Sequence, residues 1–532
     1  MHTIGRYFLT VWTCGLGLGG ALAQPSACPA RPFAGTAVQN PLDLIATDGV
    51  LKAGLTLRSR QMLEQSLKVC YVYEAGSGPV EAPTLRLDPG DRLELALTDR
   101  LSYVPPHTRP AAPSPTPHDA CAGGVVAATS TNIDFHGLNL LPDCHQGEVS
   151  VTTIENTDPA FVYKFQIPKD NPPGMYWYHP FVQGSATLQL NGGASGALIV
   201  NGMEKVKPEV AGLPERILII RQQFDDEDDP DPWPPGEYRL SLNFEPAMYP
   251  HRPSPAIRMK PGGKEFWRVA NATSEAFLAL HVMFEKTAQT VKLIALDGVP
   301  VRKSVELRSI ELPPGGRAEF IVTGPAAGQA ARLMQSEVET GRTGFENPAQ
   351  ELAKIVAMAG AQEPPALGGG ASRPAEPGPA WAADKMLAEG RATAVRKLYF
   401  ADATNGTTGP TRFFLTVEGQ TPKVFNPSGP PAVVTKVGAV EDWIVANHTG
   451  EIHTFHMHRI HFLFLQVNGK KLLNPELRDT VTVPAWEGAG PYPTVMLRMD
   501  FRDARSAGTF VFHCHILHHA EAGMMGRIQV NP

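Results

Sequence analysis

Cys514, His453, His519 and Met524 raise the first chemical question in this chain. In "HCHILHHAEAGMM" (513–525) the cysteine is followed by a histidine five residues on and a methionine five further, and His453 opens "HTFHMH" (453–458). A thiolate, two imidazoles and a thioether are soft to borderline donors. With a weak axial methionine they form the pattern of a blue, electron-transferring copper site. Zinc suits the set less well, because only one thiolate is present and the methionine would have no part.

His513 and His515 flank the cysteine. Side chains alternate along a strand, so this pair faces away from whatever Cys514 holds. His456 and His458 form a second such pair. The four histidines point to a second metal centre beside the first, with Cys514 joined covalently to two of its ligands. The first third of the chain carries a thinner echo. "STNIDFHGLNLLPD" (130–143) offers His136 alone, and "GMYWYHPFVQG" (174–184) offers His179 alone. Asp134 stands two residues before His136, Phe181 two after His179, and Gln183 two further. A carboxylate binds copper less readily than imidazole does, or it carries a proton; a phenyl ring does neither. Asp134 and Cys514 are thus the candidates for proton and electron traffic. Glu451, two residues before His453, is a candidate carboxylate at an electron-donor pocket.

The elements that must position these residues read as strands. "APTLRLDPGDRLELALTDRL" (82–101) alternates leucines around an Asp88-Pro89-Gly90-Asp91 turn, which is the pattern of two half-buried strands. Similar runs recur at "RILIIRQQF", "ARLMQSEV" and "RKLYFAD", and helical periodicity is scarce. Internal echoes are more telling. Trp267-Arg-Val-Ala-Asn271 matches Trp443-Ile-Val-Ala-Asn447. "GMYWYHPF" matches "GTFVFHCH", setting His179 against His513 and Phe181 against His515, and "DFHG" matches "HMHR", setting Asp134 against His456. Three copies of one β-sandwich of roughly 150 residues account for this. In the middle copy Phe277, Leu280 and Val282 stand where the third has His453, His456 and His458. The expected division is a leader over 1–23, sandwiches over 24–205, 206–360 and 395–532, and a Pro/Gly/Ala-rich linker over 361–394. The acidic run at 225–232 reads as a solvated loop.

The bulk numbers agree with that plan. The chain has 532 residues, 50 glycines, 50 prolines and a net charge of −6 with both signs scattered. No basic stripe argues for nucleic acid, and no apolar run after the leader reaches the ~18 residues of a membrane span. Arg6, the apolar run from Tyr7 and Ala21-Leu22-Ala23 form a secretory signal cut after Ala23, so the mature protein is expected to be periplasmic or extracellular. Cys14 leaves with that leader, and Cys514 is placed among ligands. Cys28, Cys70, Cys121 and Cys144 then remain, with three pairings open; chain order favours Cys28–Cys70 and Cys121–Cys144.

"HTFHMH" and "HCHILHHAEAGMM", with the echoes around them, resemble the three-domain multicopper oxidases, the group that holds laccases, bilirubin oxidases and copper-efflux oxidases. The resemblance covers nearly the whole mature chain. It implies an all-β fold of three consecutive cupredoxin-like Greek-key sandwiches, with copper as the cofactor. It also implies one-electron oxidation of phenolic, metal-ion or protein donors at a type 1 copper held by His453, Cys514, His519 and Met524. Electrons would pass to a centre between sandwiches one and three that reduces dioxygen. That centre takes eight histidines in the family. Here it would keep His136, His179, His456, His458, His513 and His515, while Asp134 and Phe181 replace ligands and put full four-electron reduction in doubt. The alternatives are a two-copper reductase of a small oxyanion such as nitrite, which the "NIDFH" segment echoes, and a non-catalytic periplasmic copper carrier.

Overall fold

A computed structural model of the chain describes residues 28–32, 34–61, 67–102, 118–123, 126–223, 239–247, 253–368, 387, 389–404 and 411–532. The leader over 1–23, the acidic run at 225–232 and most of the 361–394 linker lie outside the described residues.

Leucine alternation builds the first sandwich. In the strand Arg92–Arg100, residues Leu93, Leu95 and Leu97 are fully buried while their neighbours face outward, the period-two pattern of a strand with one covered face. The Asp88–Asp91 turn does not fold back on itself. It carries the chain from one five-stranded sheet, which holds Thr84–Leu87, to the other, which holds Arg92–Arg100. The second sandwich pairs a seven-stranded with a six-stranded sheet, and the third a seven-stranded with a five-stranded one. Each encloses its own apolar core. The described helices are single short turns such as Ala186–Asn191 and Leu517–Glu521. The architecture is thus all-β, three cupredoxin-like sandwiches in succession.

The tryptophan repeat is a shared piece of local chemistry. Trp267 donates its indole N–H to Glu265 at 2.8 Å, and Trp443 donates to Glu441 at 3.0 Å. Arg216 and Arg396 pair with those two carboxylates. Asn271 and Asn447 close the following loops through their amides, and each accepts a hydroxyl hydrogen bond from the residue two further on, Thr273 or Thr449. In the third sandwich this loop leads directly into the strand His453–Met457.

Two disulfides link Cys28 to Cys70 and Cys121 to Cys144, the pairing that chain order favours. Cys514 is free and buried. Among the described residues no helix is long and apolar enough to cross a membrane.

Candidate metal centres

The strands His453–Met457 and Gly508–Cys514 pair antiparallel, with Phe455 opposite Cys514 and His456 opposite His513. This register puts the thiol on one face of the sheet and the HxH histidines on the other. On the thiol face, Cys514 Sγ lies 3.6 Å from His453 Nδ1 and 3.8 Å from His519 Nδ1, and the two nitrogens are 3.2 Å apart. The short helix Leu517–Glu521 brings His519 back over the cysteine. Met524 is fully buried in the same core, and its carbonyl accepts the Cys514 N–H at 3.0 Å. The far nitrogen of His453 meets the Thr449 hydroxyl at 2.7 Å, so the loop of the tryptophan repeat orients the imidazole. Glu451 lies 3.4 Å from His519 Nε2.

On the opposite face the histidines converge in overlapping groups whose ligand atoms lie within 4.8 Å of one another. These groups are His136 with His179 and His515, His456 with His458 and His513, and Asp134 with His136 and His456. Asp134 comes from the strand Asp134–His136, which pairs with Gly174–His179 so that Asp134 is opposite His179. His179 and His513 each donate Nδ1–H to a backbone carbonyl, of Pro180 at 3.0 Å and of Cys514 at 2.8 Å. His456 Nδ1 donates to the Asp479 carbonyl at 2.8 Å. Such bonds fix the tautomer and turn the bare Nε2 inward. Phe181 occupies the fourth corner. Its ring centroid is 4.5 Å from that of His513 and 5.5 Å from that of His458, where a further ligand to that pair would stand. Of the residues beside these motifs, His518 is half-exposed and faces Glu275, while His145 bonds the Val162 carbonyl. Tyr176 and Tyr178 are buried in the core of the first sandwich, with hydroxyls on backbone carbonyls.

Burial sets the protonation states. It drives His453 and His179 down to about 3 and His456 to about 4, and holds His136, His458, His513, His515 and His519 well below the ordinary imidazole range. All eight therefore present neutral, lone-pair nitrogens. The Cys514 thiol is pushed up to about 12 by burial, so without a cation beside it the sulfur keeps its proton. Burial likewise lifts Asp134 to about 7, against the pull of the Arg459 guanidinium, and Glu451 to about 7, helped by Asp402 and Glu275. Buried polar atoms are nearly always hydrogen-bonded. Yet His456 Nε2, both ring nitrogens of His515 and Asp134 Oδ2 have no partner. Orphaned acceptors converging on one space fit metal ions.

Sequence spacing did not reveal the residues that brace this space. Asp479 lies 3.5 Å from His136 Nε2, and Arg317 grips it with two bonds of 2.7 Å. Burial alone would raise the Asp479 carboxyl, but the Arg317 guanidinium and His136 together outweigh it and hold the group well below the usual range. Arg317 belongs to the second sandwich, so the copy without ligands still supports the histidines. Gly137 has φ +94°, and a side chain there would collide with the Arg317 guanidinium. At Gly315 a Cβ would stand 2.9 Å from His515 Nε2. Arg459 reaches back to Glu148 at 3.2 Å and to the carbonyls of Leu141 and Gln146, tying the third sandwich to the first. Its φ of +71° is unusual for a side chain of that size.

Three β-sandwiches thus carry a buried Cys-His2 set and a histidine cluster on opposite faces of one strand pair, each able to hold a metal ion. The multicopper oxidase family model matches residues 398–532. A curated relative, the multicopper oxidase mco of Staphylococcus aureus, is 22% identical over 472 residues, covering 85% of this chain and 83% of its own. Among solved structures, a multicopper oxidase from Campylobacter jejuni, titled a metallo-oxidase, superposes with a TM-score of 0.65 at 22% identity, covering 94% of this chain and 96% of its own. McoA multicopper oxidase from Aquifex aeolicus gives 0.64 at 17% identity, covering 94% of this chain and 100% of its own. Residues 398–532 thus carry a multicopper oxidase domain, the whole chain shares the fold of these oxidases, and the similarities support an oxidoreductase.

Proposed function

We propose that this is an exported copper oxidase with an intact type 1 site and a reduced second centre. His453, Cys514, His519 and Met524 would hold the type 1 copper. His136, His179 and His515 would hold one copper of the second centre. His458 and His513 would offer a second position that Phe181 leaves a ligand short, and Asp134 with His456 a third. Bound copper would supply one-electron chemistry, drawing electrons singly from a phenolic, metal-ion or protein donor and passing them to dioxygen. The observation that carries the reading is the convergence of neutral imidazoles on the face of the strand opposite Cys514, with His456 Nε2 and the ring nitrogens of His515 left without a partner.

The protein's own part is positional. Backbone carbonyls lock the tautomers, Thr449 orients His453, and Asp479 with Arg317 holds His136 and His456 in register. Asp134 sits where a proton can be kept beside the histidines, 3.5 Å from both His179 Nε2 and His458 Nδ1. Phe181 keeps an apolar wall on the other side. The leader and the two disulfides support export to an oxidising compartment. The relatives named above are oxidases, which does not favour the oxyanion-reductase or carrier readings.

Copper content and electron paramagnetic resonance of the reconstituted protein test the proposal. Expected are a type 1 signal and fewer than four coppers per chain. One copper per chain would support a carrier instead, and four with a magnetically coupled pair would refute the reduced centre.

A further inference from the structure

A cavity of about 200 Å³ opens between the first and third sandwiches, with Phe181 in its wall. Val149, Val511, Leu517 and Phe425 give it apolar walls. Phe181 is the wall towards the histidines, so an occupant touching that ring lies one side chain from His513. Most polar groups at the wall are already engaged. The Asn132 amide bonds the carbonyls of Thr152 at 3.0 Å and Phe181 at 3.3 Å, and the Thr152 hydroxyl bonds the Glu148 carbonyl at 2.6 Å. An ordered water needs two to four polar partners, and a dry cavity of ~150 Å³ lined by aliphatic groups accepts benzene. This cavity is somewhat larger than that and has two polar handles. One is the Glu521 carboxylate, which accepts the Thr187 N–H at 3.0 Å, the Thr187 hydroxyl at 2.9 Å and the Ala186 N–H, and keeps room for one more donor. The other is the Gln183 amide at its rim. Apolar walls with a few convergent polar groups are the usual form of a small-molecule site.

We propose that this cavity binds one single-ring molecule of the phenol class, its ring against Phe181 and Val511 and its hydroxyl donating to Glu521. The site stands at the wall of the second centre, since Val511 shares the strand face of His513 and not that of Cys514. It is built of side chains alone, so it holds or fails independently of the copper reading.

The test uses the copper-free full chain and 4-bromophenol. Calorimetry should show saturable binding of one molecule per chain, and bromine anomalous scattering from a crystal of the complex should place the halogen in the cavity. Ala186→Leu pushes a larger side chain into a packed wall and should weaken binding on the order of tenfold. Glu521→Gln should narrow the preference for 4-bromophenol over bromobenzene. Bromine found only elsewhere, ordered water filling the cavity at saturating ligand, or unchanged affinity in Ala186→Leu would overturn the proposal. Should that variant fail to fold, the bromine position in the unaltered protein decides.

Discussion

Replacing Arg317 with Met would leave Asp479 as a buried anion with its main partner gone. Both side chains are within 1% of full burial and are joined by two bonds of 2.7 Å. Removing one member of such a pair costs about 3–5 kcal/mol. The guanidinium also donates to the carbonyls of Gly315 and Asp297, at 3.0 and 2.9 Å, and stranding each adds about 1 kcal/mol. The total is on the order of 5 kcal/mol. For domains of this size that corresponds to roughly 10–20 °C in melting temperature. The assay is calorimetric and urea unfolding of copper-free protein, where no bound ion adds stability. The pH dependence follows from sign. In the wild type the Asp479 carboxyl is depressed, so its contribution is present above ~3.9 and is lost as pH falls through the folded value. In the variant the Arg317 attraction is gone, and burial pushes that carboxyl upward against the remaining pull of His136. The stability gap should therefore be widest near neutrality and narrow as pH falls and the stranded group takes up a proton. Arg317→Met/Asp479→Leu should recover most of the loss, because an apolar pair leaves no buried charge. A loss below ~1 kcal/mol, such as an exposed pair gives, would refute the argument, as would a double variant no more stable than the single one.

Three further outcomes are expected. Cys514→Ser should abolish the blue colour of the copper-loaded protein while leaving its circular dichroism unchanged; a colourless, copper-loaded wild type would sink the type 1 assignment. Asp134→His/Phe181→His should raise copper per chain and oxygen consumption at fixed donor, and Asp134→His alone should do less, because Phe181 still faces His458 and His513; equal copper in wild type and double variant would contradict this. Asp99, whose Oδ2 lacks a partner, is raised by burial to about 8. Its stabilising contribution is complete below ~4 and is lost as pH rises through about 8, so Asp99→Asn should flatten the fall in melting temperature across that window.

Much of this was legible in the sequence, because strand alternation and ligand spacing are local. The Cys514 set needs only the spacing 514, 519, 524 and His453, and the gaps at Asp134 and Phe181 show once "DFHG" is set beside "HMHR" and "GMYWYHPF" beside "GTFVFHCH". The Asp88–Asp91 turn shows what locality misses: flanking strands were readable, but not that the turn joins two sheets. Arg317 and Asp479 lie 162 residues apart in different sandwiches, and each alone is an ordinary charged residue. The available hint was an arginine opening the strand-like run "RAEFIVT" at 317–323. The cavity is likewise a product of docking, since its walls come from segments more than 200 residues apart.

The split of the histidine cluster between distant strands also governs when a nascent chain can acquire it. His136 and His179 are made early, whereas His513, Cys514, His515, His519 and Met524 follow more than 300 residues later. About 330 residues separate His179 from His513, and at ~5–20 residues per second a ribosome needs roughly 20–70 s to make them. Through that interval the first sandwich holds two histidines and a carboxylate with nothing to complete them. A metal ion arriving then meets a different coordination chemistry from the finished one. Completion of either candidate site thus waits for residues 513–524, and a chain stopped before them would carry most of the strands and neither site.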